Sequence, residues 1–500
     1  MEDRGEGTRG DGWIAMVLGV VYLGLYGLTL CPIVYWYDSA EFVTAAFTLG
    51  IPHPPGYPLY TLIGHVFTWL PIDPALAINW MSAVFASVTV GLTFLICRRL
   101  GLYRAPALVG AATLGGGKLF WANAVVAEVY CPGLAFTALV FYLLLEARDR
   151  SRLGLTLLAA WVAGLGLGVH MSIATLGLGF ALLVWAHDTP VAAPGDLRRL
   201  LRRDGVARRL GRSLSALGLT ALGSLIFLYL PFRAAQSPPL NFGNPSSWDR
   251  FKWVVSGGTY KGWFVNDLGT ATRLGALFEA FREQLLLLGV VLALVGVLWL
   301  WRRRPLECLA MLLMSVGNVG FFFRYEVHDL AVFFLPTTML TCCFVAAGAQ
   351  ALVFGIGRVV TTGRALAMRR LVSAALLAFA VVLAVGNYRS VDMSDFSETE
   401  QYIDSMVSEL PEGAIVLNFT TPSEWKLDAV FGMYTQKVLG ARADVEVVNV
   451  IARGPGVVGA AFASGRPVFA YVPVQVLAQR FVLEPEGPAF RVLPRSVSKP

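Results

Sequence analysis

Residues 13–60 read WIAMVLGVVYLGLYGLTLCPIVYWYDSAEFVTAAFTLGIPHPPGYPLY. The opening run, 13–33, is apolar and uncharged, long enough at about 1.5 Å per residue to cross a bilayer. The chain then turns polar at Asp38 and Glu41 and ends on a proline-rich loop. The first of these patterns recurs along the sequence. Apolar runs lie near 13–33, 76–97, 105–122, 131–145, 153–169, 171–186, 213–232, 284–301, 306–323, 330–355 and 371–387. They predict an all-α polytopic membrane protein of about eleven spans, those at 131–145 and 171–186 being short. Hydrophobic residues make up 56% of the 500, charged residues 15%, and the mean hydropathy is +0.63. A soluble domain carries about 25% charge. A cytosolic enzyme, a DNA-binding protein and a disulfide-stapled secreted domain are thereby excluded.

The net charge of +7 is a topological signal. Basic residues gather in alternate loops: Arg98, Arg99 and Arg104; Arg148, Arg150 and Arg152; seven arginines from Arg198 to Arg212; Arg302, Arg303 and Arg304; and Arg358, Arg364, Arg369 and Arg370. Residues 33–73 hold no Lys or Arg. Positive loops stay cytoplasmic, so the outer loops are expected at 33–73 and 233–282, and residues 1–12 form a cytoplasmic N-terminus by parity. Glu2, Asp3, Glu6 and Asp11 outnumber Arg4 and Arg9 there. With no basic leader and no small-residue cleavage site, the first span is expected to remain as an anchor.

Residues 13–387 thus read as the membrane domain. Residues 388–500 are richer in charge, with apolar runs at 414–419, 445–450 and 466–472 and a helical stretch at 423–439. They predict a small C-terminal α/β extracytoplasmic domain, either self-standing or leaning on the membrane part. The six cysteines all lie in or beside apolar spans and are expected as buried free thiols.

Ionisable groups near a bilayer are costly and are candidates for function. On the outer side fall Asp38, Glu41, His53, Glu128, His170, Arg233, Lys261, Arg324, Glu326, His328 and Asp329, so side chains from distant segments are expected to meet in one outward cavity. Asp38 and Glu41 are three apart and share a helix face. They form either a capping box, with Glu41 reaching back, or a catalytic pair in which a carboxylate serves as general base toward a hydroxyl. His53-Pro54-Pro55-Gly56-Tyr57-Pro58 reads as a stiff loop. It is either a plain helix breaker or a platform presenting His53, Tyr57 and Tyr60 to a sugar. Glu128 is a boundary acid or a site residue. Arg233 and Lys261, beside Tyr260, mark the membrane boundary or hold a phosphate.

Gly117-Lys118-Leu119 lacks the pattern of a phosphate-binding P-loop, no Cys/His pair has zinc spacing, and no Asp-x-Asp is present. No metal and no cofactor is expected. Asn418-Phe419-Thr420 matches a glycosylation acceptor but abuts an expected strand.

The segments Asp38–Phe42, His53–Tyr60, Ala127–Tyr130, Gly164–His170, Tyr229–Ala234 and Asn241–Trp248 together resemble the protein O-mannosyltransferase family typified by transmembrane protein 260, also known as domain of unknown function 2723. The resemblance runs from about 13 to 340. It implies a GT-C-type membrane glycosyltransferase that takes a sugar, mannose, from a polyprenyl-phosphate donor to a Ser/Thr hydroxyl of a protein, or to a glycan. The acid of the first outer loop falls on Asp38, with Glu41 beside it, and the family's His-Pro-Pro on His53, Pro54 and Pro55. With these, the residues read above give Tyr57, Tyr60, Glu128, His170, Arg233, Tyr260 and Lys261 as substrate-binding candidates. Its partners are membrane lipid, donor and acceptor, with no nucleic acid. The membrane is the plasma membrane in a bacterium and the endoplasmic reticulum in a eukaryote. A flippase of a lipid-linked glycan is the rival, though no internal repeat of the kind transporters carry is visible.

Overall fold

The computed structural model describes residues 7–494 except 203, 265–269, 328, 360–364, 420–426, 451–453, 455, 471–474 and 480. Expectations that rest on His328 or Thr420, or on the first residues of the 423–439 helix, lie outside the described residues. Among the described residues eight helices are long and apolar enough to cross a membrane: Gly10–Leu28, Pro74–Arg99, Tyr130–Asp149, Val206–Ala234, Phe281–Arg303, Pro305–Phe322, Leu330–Gly355 and Ala365–Val391. Two shorter apolar helices, Leu153–Leu167 and Met171–Trp185, fill the positions of the fifth and sixth expected spans. The third expected span, 105–122, is broken into Arg104–Gly115 and Lys118–Ala124. The break falls on Gly116-Gly117, where the backbone runs against Gln284: a Cβ at Gly117 would stand 1.6 Å from its side-chain nitrogen.

Several long helices turn apolar side chains outward. Trp13, Val17, Val20 and Val21 on the first helix are exposed, as are Val381, Val382 and Val385 on Ala365–Val391. Such faces suit lipid, where the helix satisfies its own backbone groups.

The basic loops do come to one end of the bundle. Asp11 takes hydrogen bonds from Arg98 and Arg104 at 2.8 Å each. Glu146 pairs with Arg99 and Arg150, Arg304 lies 3.8 Å from both Asp149 and Glu307, and Arg212 lies 3.2 Å from Asp188. Asp11, one of the acids that fit the charge pattern poorly, is thus paired with arginines of the neighbouring loop.

At the other end, residues 33–73 are largely helical. We label α1 Gly7–Leu28, α2 Asp38–Thr48 and α3 Pro58–Phe67. Leu49 closes α2 in the left-handed conformation. Ile51 then bridges Asn241, and the amide of Phe242 donates to the Ile51 carbonyl at 2.9 Å. The turn after it needs Gly56, whose φ is +90°, and α3 opens on Pro58, where no amide is required.

The C-terminal part carries a five-stranded sheet, β1 Ile415–Asn418, β2 Glu446–Asn449, β3 Val468–Ala470, β4 Phe481–Glu486 and β5 Ala489–Pro494, in the order β2-β1-β3-β5-β4. The first three strands are parallel and match the three apolar runs; β4 and β5 form an antiparallel hairpin turned at Gly487. This part leans on the membrane part. Helix Leu427–Val438 packs Ala429, Val430 and Tyr434 against Val43 and Ala46 of α2. Thr399 donates to the Val34 carbonyl at 2.6 Å, and the Tyr434 hydroxyl to Asp73 at 3.2 Å. All six cysteines are buried free thiols.

Candidate active site

The site begins with the first turn of α2. The helix starts at Asp38 itself, and its N-cap, Tyr37, makes no side-chain capping bond. The capping-box reading of Asp38 and Glu41 therefore fails: Glu41 does not turn back to the helix end but reaches across to His53. The His53 amide donates to one Glu41 oxygen at 2.8 Å, and the ring Nδ1 bonds the other. The second ring nitrogen, Nε2, pairs with the Tyr57 hydroxyl at 3.1 Å and lies 4.0 Å from Asp38. Glu41 is almost fully buried, whereas the Asp38 side chain is 47% exposed. A buried carboxylate is tolerated only with paired charge and hydrogen bonds, and His53 supplies both.

Burial opposes the charged form of His53. Glu41 and Asp38 outweigh it and raise its pKa to about 9. The ring is an imidazolium at neutral pH, set between a buried carboxylate and an open one.

Around this core the structure gathers side chains from four further segments. The His53 ring meets Tyr260 edge-on at 6.2 Å. Tyr57 stacks on His170 at 6.3 Å, and His170 lies 5.3 Å from Tyr130. The Tyr130 hydroxyl donates to Asp329 at 3.4 Å. Tyr260 also approaches Tyr325 at 6.5 Å. Burial, then the charges of Asp38 and Asp329, push the Glu128 carboxyl well above the usual range. Burial and the charge on His53 lower His170 to about 4, so it stays neutral and shares a 2.6 Å hydrogen bond with the Ser172 hydroxyl. The expected convergence is therefore present for Asp38, Glu41, His53, Glu128, His170 and Asp329, and the Asp38 carboxylate within it is half exposed.

Three expectations fare differently. His53, Tyr57 and Tyr60 are 8%, 7% and 1% exposed: the loop does not present them outward but turns them in to brace the cluster. Pro54 is buried with them, Pro55 less so. The Tyr60 hydroxyl is buried without a hydrogen-bond partner among the described residues. Arg233 is not brought to Asp38. Its guanidinium donates to the Leu49 carbonyl at 2.8 Å and the Thr48 carbonyl at 3.2 Å, at the far end of α2, roughly 15 Å along the helix. Lys261 is exposed beside Tyr260. Tyr130 and Tyr325 are members the sequence reading passed over. Tyr130 ends the Ala-Glu-Val-Tyr motif and was within reach; Tyr325 carries no local signal.

Although no metal motif is written in the sequence, the fold brings Asp38, Glu41 and His53 together with ligand-type atoms all within 4.8 Å of one another. Sequence spacing does not mark that grouping. In the arrangement present, His53 fills the cation's place. A cavity of about 700 Å³ lies elsewhere, between helix Leu427–Val438, β2 and Phe242, and contains none of these groups.

Comparison with known proteins bears directly on α2 and its surroundings. Residues 38–191 match the protein O-mannosyl-transferase TMEM260 N-terminal domain. The match takes in Asp38, Glu41, the His53–Tyr60 loop, Glu128 and His170, but is shorter than the 13–340 expected and leaves out Arg233, Tyr260 and Lys261. The mouse protein O-mannosyl-transferase TMEM260 is 32% identical over 138 residues, 26% of this chain and 19% of its own length. The Dictyostelium discoideum relative of that name is 27% identical over 123 residues, 24% of this chain and 15% of its own length. The matched stretches are thus less than a fifth of those proteins. In fold the whole chain resembles ArnT from Cupriavidus metallidurans, solved bound to undecaprenyl phosphate: TM-score 0.60 at 13% identity, covering 97% of this chain and 98% of that one. The oligosaccharyltransferase of Archaeoglobus fulgidus gives a TM-score of 0.51 at 12% identity, over 85% of this chain and 64% of the other. The likeness to these two structures is one of fold.

Proposed function

We propose that this chain is a membrane glycosyltransferase that moves mannose from a polyprenyl-phosphate donor to a Ser/Thr hydroxyl of a protein on the extracytoplasmic side. The observation that carries the reading is the placement of Asp38: a half-exposed carboxylate held against a buried imidazolium–carboxylate pair, in the segment that matches the TMEM260 domain. The ArnT likeness supports a lipid-phosphate donor, and the names of the relatives support the sugar and the acceptor.

In this reading Asp38 accepts the proton of the acceptor hydroxyl. The hydroxyl oxygen attacks the anomeric carbon in line, the carbon–oxygen bond to the lipid phosphate breaks, and configuration inverts. Polyprenyl phosphate leaves with the negative charge. A phosphate is already a stable leaving group, so no strong acid is needed. Lys261 is a cation suited to meet it, because Arg233 is engaged by the Leu49 and Thr48 carbonyls and the Gln236 side chain. The His53 ring stands 4.0 Å from Asp38, and Glu41 behind it favours the imidazolium form.

The test is transfer from a short-chain polyprenyl-phosphate mannose to a Ser/Thr-rich peptide by the full chain in detergent. The reading expects glycopeptide with free lipid phosphate released in equal amount. Donor left intact, with lipid scrambling in vesicles, would support a flippase instead.

A further inference from the structure

The two edges of the C-terminal sheet are treated differently. β4 is blunted by Pro485, which has no amide to donate and sits between Glu484 and Glu486. β2, at the other edge, contains no proline, and no described strand pairs with its outer side.

The ladder fixes which backbone groups of β2 point outward. The Glu446 amide donates to the Ala414 carbonyl at 2.9 Å, and Glu446 stands opposite Ile415. Bonding alternates along a parallel pair, so Val447 turns its amide and carbonyl away from β1. Neither makes a hydrogen bond to a described residue. The Val445 carbonyl, by contrast, is taken by the Gln436 side chain at 2.7 Å.

Val447 lines the cavity of about 700 Å³. One wall is β2 and its approach, from Ala443 to Asn449; the other is Asp428, Gly432, Met433 and Gln436 of helix Leu427–Val438, with Phe242 beside them. Most of the charges here are paired. Arg466 meets Glu446 at 3.0 Å, Arg442 meets Asp444 at 3.0 Å, and Asn449 donates to Asp428 at 3.1 Å. An ion finds no concentrated charge to seek. An extended polypeptide finds an outward amide and carbonyl at a strand edge, with Met433 and Phe242 to receive side chains.

The position relative to Asp38 selects the polypeptide. The Phe242 amide bonds the Ile51 carbonyl just beyond α2, and helix Leu427–Val438 packs on α2 itself. Asp38 stands at the start of α2, roughly 15 Å back along that helix. About five extended residues cover such a distance. Resting on the glycosyltransferase reading, we propose that the edge of β2 holds the protein acceptor. An extended segment of it adds to the sheet beside Val447, roughly five residues from the Ser/Thr that is modified.

Binding is read without donor, so this result and the transfer reaction succeed or fail separately. Fluorescence anisotropy of the full chain in detergent compares a labelled Ser/Thr-rich peptide of about twelve residues with the same peptide N-methylated at its central amides. The wild type should hold the methylated peptide roughly tenfold more weakly, the effect of one or two lost hydrogen bonds. Val447→Pro removes the outward amide and should weaken the unmethylated peptide by a similar factor. The peptide comparison uses the unaltered chain, so it stands whatever Val447→Pro does to folding. Equal affinity for the two peptides on the wild type, or no binding of either at about millimolar concentration, would overturn the proposal. So would displacement of the peptide by a free mannose oligosaccharide, which would make the cavity a glycan site. A wild-type dimer that Val447→Pro splits would also overturn it, giving the edge to a second copy of this chain.

Discussion

The Glu41 carboxylate receives His53 twice, from the backbone amide at 2.8 Å and from ring Nδ1, across twelve residues of chain. This pair joins the first turn of α2 to the proline loop. Removing the ring alone strands a buried carboxylate, a loss of about 3–5 kcal/mol. His53→Ala should therefore melt well below the wild type. The double variant Glu41→Gln/His53→Gln should lose less than the sum of its single variants, because the buried charge goes with its partner. Strictly additive losses in thermal unfolding would mean that the two groups do not act as a pair.

The same pair gives stability a pH dependence of known sign. The folded-state pKa of His53 is raised from 6.5 to about 9. Its contribution is fully present below about pH 6.5 and fades as pH rises through about 9, a change on the order of 3 kcal/mol. The melting temperature should fall across that window in the wild type and stay flatter in His53→Gln. An equal slope in the two proteins would assign the fall to another group.

Arg233 and Lys261 separate into different roles. Arg233 ties the Thr48 and Leu49 carbonyls at the end of α2, so Arg233→Ala should lower stability by about 1–3 kcal/mol with little change in donor KM. Lys261 is exposed, so Lys261→Ala should raise donor KM and leave the melting temperature in place. The reverse pattern, in a donor titration with parallel melts, would exchange the two assignments.

The parts of this molecule set by solvent were legible in the sequence. Lipid demands long apolar runs, so the eight long apolar helices among the described residues could be read directly, as could the grouping of Arg98, Arg148, Arg212 and Arg304. The strands Ile415–Asn418, Glu446–Asn449 and Val468–Ala470 could be read from apolar runs in the same way. What could not be read is direction. Asp38 and Glu41 at i and i+3 fit a capping box as well as a site, and only the fold shows Glu41 turned to His53. Arg233 is tied to the distant Leu49 and Thr48 carbonyls, which sequence does not mark, as well as to the nearby Gln236 side chain. The break at Gly116-Gly117 depends on Gln284, distant in the chain. The hairpin Phe481–Pro494 alternates too weakly to stand out.

The central claim is that Asp38 is the base. Its carboxylate is half exposed, and Asp38→Asn keeps the size and shape of the side chain, so the variant should insert and fold. With mannosyl transfer measured from the short-chain lipid donor, turnover should fall about 10²–10⁴-fold with donor KM nearly unchanged. Turnover within about twofold of wild type in a correctly folded Asp38→Asn protein would contradict the account.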